Sequence, residues 1–186
     1  MKTCILIGNS SSTLGQGFGS YIDEFENVVR FNRFGIEGYE EDLGKKCTHW
    51  VLGYKLAVGK THFKDYFNNK KLNKIREKTI GLKQALILTI NKDEENKIDN
   101  IKRKVNIDVV YKNFPKPFGS KPTTGFLAMK YLLEYFPQLT LVGFDFGKSN
   151  HYWGNHGIAD VPGKHEWGKE KDYIYDLVGQ NKIKIL

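Results

Sequence analysis

The sequence predicts one α/β domain over residues 1–186, a doubly wound Rossmann-like fold with a mostly parallel central sheet. Short apolar runs alternate with amphipathic segments, which is typical of strand–helix–strand units. The runs "CILI", "ALILTI" and "LTLVGF" have no polar face, as expected for strands covered by helices on both sides. No repeat or linker interrupts the 186 residues, of which 40% are apolar, so one core of ordinary size is expected.

The apolar runs predict seven strands, and the amphipathic segments between them predict five helices. The strands are expected at Cys4–Ile7, Asn27–Arg30, Thr48–Val51, Ala85–Thr89, Ile107–Val110, Thr140–Phe144 and Lys182–Ile185. The helices are expected near 16–24, 63–77, 92–103, 124–136 and 167–179. The fourth helix, "TGFLAMKYLLEYF", is apolar nearly all round except for Lys130 and Glu134, so it should be deeply packed.

Ligands of such sheets bind at the carboxyl ends of the strands, near the point where the strand order reverses. The segment "IGNSSSTLGQG" (7–17) lies there, although its glycines do not have the G-x-G-x-x-G spacing and it lacks the P-loop Gly-Lys-Ser/Thr ending. Asn9, Ser10 and backbone N–H groups could hold a nucleotide. A plain strand-to-helix turn with a serine N-cap explains the segment equally well.

The segments "RFNRFG" (30–35) and "GSKPTTG" (119–125) lie at the same edge of the predicted sheet. In the second segment, Pro122 stiffens the approach to Thr123, Thr124 and Gly125 at a helix start, where unpaired N–H groups stabilise a phosphate. A simple helix cap explains one threonine but not the whole run.

The net charge of +8 predicts an anionic partner such as a nucleotide, a phosphosugar, nucleic acid or an acidic membrane. The Lys-rich runs at 68–78 and 97–104 have the spacing of solvated helix faces. Cys4 and Cys47 lack metal-ligand spacing. The chain shows no membrane-spanning run and no signal peptide, so a reduced, cytoplasmic protein is expected, although pairing of the two cysteines stays open.

The stretch "NHYWGNHGIADVPGKHEWGKE" (150–170) holds His151, His156 and His165. Zinc is disfavoured because their spacings place no two on one helical face and no Cys or close carboxylate completes a ligand set. The "DFG" of "GFDFG" is no kinase motif, since the H-R-D loop and the Gly-rich loop are absent. A nucleic-acid surface remains a second hypothesis, for which "HYW" and "HEW" are weak support.

Together these segments resemble the sialyltransferases of glycosyltransferase family 29. The large motif of that family is similar to Cys4–His49, and its small motif to "KPTTGFLAMKYLLEYFPQLTLVGFDF". The third motif is similar to "NHYW" and the very small motif to the pair His165 and Glu170. The "RxN…LGKKC" and "HY" patterns are also similar to the bacterial sialyltransferases of family 42.

The resemblance implies a variant of the GT-A fold, a CMP-sugar donor, no cofactor and no metal. It implies that His165 is the catalytic base, that His151 lies beside the donor phosphate, and that Glu170 supports this region. An imidazole with a pKa of about 6.5 suits the first role near neutral pH. The donor site implied comprises Gly8, Asn9, Ser10, Asn32, Thr123, Thr124, Gly125 and His151.

The chain departs from the family in two respects. The family's disulfide would join Cys4 to the position of Phe136, so that bridge cannot form. The N-terminal anchor of the eukaryotic members is also missing from this sequence, and we therefore expect a cytoplasmic location, peripheral to the inner membrane face. The segment 52–118 has no clear match and is expected to shape the acceptor site.

The function expected is an inverting, metal-independent transfer of sialic acid from CMP-sialic acid to a hydroxyl of an oligosaccharide or glycolipid. Contact with an anionic membrane is a further expectation, and a nucleic-acid partner is not expected. CMP-Kdo as the donor, or a non-catalytic nucleotide or nucleic-acid binder on the same scaffold, are the alternatives.

Overall fold

The computed structural model describes residues 2–59, 67–90, 95–116, 121–154 and 165–186. Its strands are β1 (Cys4–Ile7), β2 (Asn27–Phe31), β3 (His49–Gly53), β4 (Gln84–Thr89), β5 (Asp108–Asn113), β6 (Leu139–Val142) and β7 (Ile183–Ile185). Its helices are α1 (Gly19–Glu24), α2 (Glu40–Leu43), α3 (Tyr54–Ala57), α4 (Asn69–Lys78), α5 (Glu95–Lys104), α6 (Thr124–Leu132) and α7 (Trp167–Gly179), with a 3-10 helix at Ser11–Thr13.

The seven strands form one sheet in the order β5-β4-β3-β2-β1-β6-β7. Every neighbouring pair is parallel, which confirms an α/β fold with a parallel central sheet. The chain proceeds outward from β1 to β5 on one side and then returns to place β6 and β7 on the other side. The strand order therefore reverses between β1 and β6, and this is where a ligand site is expected.

The core lies on both faces of the sheet because successive strand residues point to opposite faces. Along β3, Val51 belongs to the cluster that also contains the apolar side chains of α6 and α7. Its neighbours Trp50 and Leu52 belong to the cluster that α4 and α5 cover. Helices thus cover both faces, and this explains why the inner strands β1, β4 and β6 carry no polar face.

All seven predicted strands are present, with ends that differ by up to three residues. The predicted sixth strand ends at Val142 rather than Phe144, because Gly143 turns the chain with a φ of +71°. The helix predicted at 16–24 begins at Gly19, and the one predicted at 124–136 ends at Leu132. Residues 63–66 and 92–94 of two further predicted helices lie outside the described residues, and α4 and α5 begin at Asn69 and Glu95.

Helix α6 is as deeply packed as its composition predicted. Six of its nine residues are buried: Phe126, Leu127, Ala128, Met129, Tyr131 and Leu132. They belong to the same cluster as Cys4, and Phe136 packs against that cluster. Phe136 thus occupies the position that the resemblance assigns to the second cysteine of the family's disulfide, and its ring packs against the cluster that contains Cys4.

Both cysteines are buried free thiols, and they lie in different clusters. Removal from water raises the pKa of each thiol to about 12, so both stay protonated near neutral pH. Within the described ranges, no helix combines the length and the apolar character needed to span a bilayer.

Candidate active site

A cleft of about 400 Å³ opens at the carboxyl ends of β1, β2 and β6, where the strand order reverses. All of the site residues predicted from the sequence line it: Gly8, Asn9, Ser10, Asn32, Thr123, Thr124, Gly125, His151, His165 and Glu170. The structure therefore brings together residues from both ends of the chain. The chemical role of each remains a prediction.

The turn after β1 is built for close backbone packing. Gly8 donates its N–H to the Val142 carbonyl at 2.7 Å, and a Cβ on Gly8 would lie only 2.1 Å from the carbonyl oxygen of Gly143. Ser10 is the N-cap of the 3-10 helix, since its hydroxyl accepts from the N–H of Ser12 at 3.0 Å. Gly8 and Ser10 therefore shape this wall of the cleft, as the simpler interpretation of the segment predicts.

Asn9 and Asn32 present different polar atoms. The Nδ2 of Asn9 donates to the carbonyl of Arg33 at 3.1 Å, so its oxygen is the atom left to accept a bond from a ligand. The Oδ1 of Asn32 accepts from the Gly53 N–H at 2.8 Å, so its Nδ2 is the atom left to donate. Asn32 has a φ of +49°, which asparagine tolerates better than most residues.

The N-terminus of α6 forms a second wall. Thr123 is its N-cap, and the Thr123 hydroxyl accepts from the Phe126 N–H at 3.0 Å. The hydroxyl of Thr124 lies 3.1 Å from the position of a Cβ on Gly53, so the end of β3 packs closely against this wall. Among the described residues, none accepts a hydrogen bond from the N–H groups of Thr124 and Gly125. These groups and the positive end of the helix make a site for an oxyanion.

Glu170 joins the first turn of α7 to that terminus. Its carboxylate accepts from the Thr123 N–H at 2.7 Å and from the Thr123 hydroxyl at 2.8 Å, with the residue only 2% exposed. Burial raises the pKa of Glu170 above its usual value, although the two bonds from Thr123 oppose the change. Glu170, to which the resemblance assigns a supporting role, thus joins α7 to the N-terminus of α6.

His165 lies two residues before the start of α7, and it lines the cleft. Its Nδ1 is 3.0 Å from the carbonyl oxygen of Lys121. A carbonyl only accepts, so in the neutral ring the proton is on Nδ1 and the lone pair is on Nε2. The ring also packs edge-on against Trp167, with centroids 5.3 Å apart. The Lys121 carbonyl and the Trp167 ring thus hold the His165 imidazole at the cleft.

The segment that carries His151 is attached to the first turn. Backbone bonds join the Ser11 N–H to the carbonyl of Asn150 at 2.8 Å, and the Tyr152 N–H to the carbonyl of Asn9 at 3.0 Å. On the other side, the Tyr152 hydroxyl donates to the Gly35 carbonyl at 2.8 Å. These bonds fix His151, whose ring packs against Trp153 with centroids 4.9 Å apart.

Several residues that line the cleft were not predicted from the sequence. The turn after β6 contributes Phe144, Asp145, Phe146 and Gly147, and α7 contributes Trp167. The position of "GFDFG" directly after a buried strand was the signal that could have identified the first four. Asp145 accepts from the Gly147 N–H at 3.1 Å through Oδ1, and no partner among the described residues is found for its buried Oδ2.

The zinc alternative involves His156, which lies outside the described residues. Within the parts of the chain that are described, no three His, Cys, Asp or Glu side chains gather as a metal site.

Comparison with known proteins agrees with the motifs. The family model described as "Glycosyltransferase family 29 (sialyltransferase)" matches residues 1–80. CMP-N-acetylneuraminate-beta-galactosamide-alpha-2,3-sialyltransferase 1 of Gallus gallus is 29% identical over 98% of this chain. The enzyme of the same name from Pan troglodytes is 27% identical over 99% of it. The chain spans 57% and 58% of the length of these two relatives.

The fold is also similar to solved structures. A mammalian sialyltransferase crystallised with Gal-beta-1-3GalNAc-ortho-nitrophenol superimposes with a TM-score of 0.69 at 20% identity. That match covers 100% of this chain and 69% of the crystallised one. At this identity the likeness concerns the fold alone.

The cytoplasmic location expected from the sequence is wrong. The sialyltransferases of glycosyltransferase family 29, to which this chain is similar, are Golgi-lumenal type II membrane enzymes. The expectation depended on the absence of an anchor from a sequence that covers little more than half of its relatives. Motifs, sequence comparison and fold together confirm the resemblance of this chain to the sialyltransferases of glycosyltransferase family 29.

Proposed function

We propose that this chain carries the catalytic cleft of a sialyltransferase that transfers sialic acid from CMP-sialic acid to a hydroxyl of a glycan. The relatives' names supply the donor and the reaction class. We further propose that residues 1–186 form one doubly wound domain of a GT-A variant. The single parallel sheet supports this part of the proposal.

The CMP phosphate binds at the N-terminus of α6 in this proposal. The N–H groups of Thr124 and Gly125 and the Nδ2 of Asn32 converge there as donors, and the helix dipole adds a partial positive charge. His151 stands at the same cleft, and Asn9 offers an acceptor for the nucleoside. Because these groups can hold the phosphate by themselves, we propose that neither a metal nor a cofactor takes part.

His165 acts as the general base. The Nε2 atom accepts the proton of the acceptor hydroxyl as its oxygen bonds to the anomeric carbon of sialic acid. The bond from that carbon to the phosphate oxygen breaks, and its electron pair leaves with CMP. Attack from the side opposite the phosphate inverts the anomeric configuration. The bond from Nδ1 to the Lys121 carbonyl supports this role because it selects the required tautomer.

One observation carries the proposal: the His165 imidazole, whose Nδ1 is bonded to the Lys121 carbonyl, and the N-terminus of α6 line the same cleft. The experiment is to incubate the protein with CMP-sialic acid, a galactose-terminated acceptor and EDTA, and to measure released CMP and sialylated product. Both should form. Absence of product together with absence of CMP binding would overturn the proposal.

The same assay tests the alternatives. Preference for CMP-Kdo would assign a different donor to the same cleft, and CMP binding without turnover would indicate a non-catalytic binder. None of the contacts described above favours either alternative, whereas the relatives' names favour sialic acid.

A further inference from the structure

Trp167 is an aromatic side chain of the cleft to which the proposed reaction assigns no role. It is the first residue of α7, it is half-buried, and it lines the cleft. Four phenylalanine rings among the described residues also line the cleft, and all four belong to or pack against one core cluster: Phe31, Phe126, Phe144 and Phe146. Trp167 belongs to none of the core clusters that the described residues form. Its position is therefore not explained by packing in the core.

Two close neighbours hold the Trp167 ring. A Cβ on Gly147 would lie 3.1 Å from Cε2 and 3.2 Å from Nε1 of the indole, so the backbone of that turn packs closely against the ring. Gly147 has a φ of +79°, and its N–H is bonded to the Asp145 carboxylate at 3.1 Å. The second neighbour is His165, whose ring packs edge-on against the indole. Because the ring is already held, a ligand that contacts it pays little to order it.

The indole N–H of Trp167 is a hydrogen-bond donor available to a ligand. None of the described residues accepts a hydrogen bond from it, and it is not one of the buried polar atoms. A tryptophan offers a large apolar surface and one donor, so it suits a ligand with an apolar face and an oxygen beside it. A sugar ring has both, since C–H groups form its faces and hydroxyl oxygens lie at its edges.

The distance from Trp167 to His165 indicates which sugar this is. The two ring centroids are 5.3 Å apart, a separation similar to the width of a pyranose ring. In the proposed reaction, the sugar whose hydroxyl gives its proton to the Nε2 of His165 lies against that imidazole. The donor phosphate is assigned elsewhere, to the N–H groups of Thr124 and Gly125. The sugar that contacts Trp167 is therefore the acceptor.

We propose that Trp167 is an acceptor-binding residue, whose ring packs against a C–H face of the sugar that carries the reacting hydroxyl and whose N–H donates to an oxygen of that sugar. The ligand is thus an uncharged pyranose, held without ion pairing. This inference rests on the proposed function. The sequence predicts that the segment 52–118 shapes the acceptor site, and the inference adds a residue of α7 to that site.

Two variants separate the two contacts. Trp167→Phe keeps a ring and removes the N–H, so KM for a neutral galactose-terminated disaccharide should rise about fivefold through the loss of one neutral hydrogen bond. Trp167→Ala should raise it about 50-fold, because about 50 Å² of apolar contact is lost as well. KM for CMP-sialic acid and the Kd for CMP should change little. The control is Tyr135→Ala, which removes an exposed ring beyond the C-terminal end of α6 and should leave all three constants unchanged.

Tryptophan fluorescence gives a second readout, which a purely structural role of Trp167 would not produce. The sequence contains three tryptophans, Trp50, Trp153 and Trp167. The same disaccharide, added to the protein with CMP bound so that no transfer occurs, should change the emission. The change should persist in Trp153→Phe and disappear in Trp167→Phe.

Every other outcome overturns the inference. If the Trp167 variants lower kcat but keep the acceptor KM and the fluorescence change, the ring only positions His165. If they raise KM for CMP-sialic acid instead, the ring contacts the donor. In both cases the proposed function stands, whereas absence of transfer and of CMP binding in the unaltered protein overturns both. If Trp167→Ala does not bind CMP because it fails to fold, Trp167→Phe decides by the same criteria.

Discussion

Glu170, in the first turn of α7, accepts two hydrogen bonds from Thr123, the N-cap of α6, at 2.7 and 2.8 Å. This contact links two parts of the chain that are 47 residues apart and places His165 beside the N-terminus of α6. One carboxylate thereby joins the two parts of the cleft to which we assign the phosphate and the base, and it touches neither the donor nor the acceptor in the proposed reaction.

The pH dependence of stability should report on this carboxylate. Burial raises the pKa of Glu170 from its usual 4.5 in the folded protein, so the folded state binds the proton more tightly than the unfolded state. Stability from this group is fully present below pH 4.5 and is lost as pH rises through the folded pKa. Urea titration measures the free energy of unfolding of the unaltered protein and of Glu170→Gln at several pH values. The stability of the unaltered protein relative to Glu170→Gln should decrease as the pH rises through this window. A difference that grows with pH would show that the pKa is lowered instead.

The two cleft asparagines should respond differently to conversion to aspartate. Asn32→Asp keeps the acceptor for Gly53 but replaces the amide that faces the phosphate site by a carboxylate oxygen, so CMP affinity should fall by about 100-fold or more with little change in Tm. Asn9→Asp replaces an amide that donates to the Arg33 carbonyl, so it should lower Tm. Calorimetric titration with CMP and thermal unfolding measure both effects, and similar behaviour of the two variants would contradict these orientations.

Gly8 should not tolerate a methyl group. Its Cβ would meet the carbonyl oxygen of Gly143 at 2.1 Å, so Gly8→Ala should destabilise the protein by about 2–3 kcal/mol. The control is Gly168→Ala on α7, where nothing lies within 4 Å of the added Cβ and helix propensity improves by up to about 1 kcal/mol. Denaturant titration compares the two, and equal stabilities would show that the turn relaxes easily.

Cys4 and Cys47 should be unreactive in the folded protein and titratable after unfolding. Both are buried, and the pKa of each thiol is raised to about 12, which suppresses the reactive thiolate. In buffer, a thiol reagent should detect neither cysteine. In guanidinium without reductant, it should detect both of the two cysteines in the sequence. No reaction after unfolding would mean that the two are joined in a disulfide.

The inner strands β1, β4 and β6 were predictable because they are apolar on both faces, and the nearly continuous apolar composition of α6 likewise predicted its deep packing. Helices α2 and α3 were not predicted, since four residues do not establish a helical period. The early end of β6 depends on the positive φ of Gly143, which composition does not reveal.

The site was predictable as a set of residues, but the roles of individual side chains were not. Ser10 and Thr123 cap helices with the same hydroxyls that bind phosphates elsewhere, so sequence could not choose between capping and binding. The link between Glu170 and Thr123 and the bond from His165 to Lys121 join distant parts of the chain, and only the fold reveals them.

The most direct test of the central claim is single-turnover transfer from CMP-sialic acid by His165→Ala, with CMP affinity measured on the same preparation. The account predicts a rate lower by about 100- to 10,000-fold, because proton removal from the acceptor is lost. The Kd for CMP should stay nearly unchanged, since the phosphate donors are on α6 and Asn32. An unaltered transfer rate, with CMP still bound, would contradict the assignment of His165 as the base.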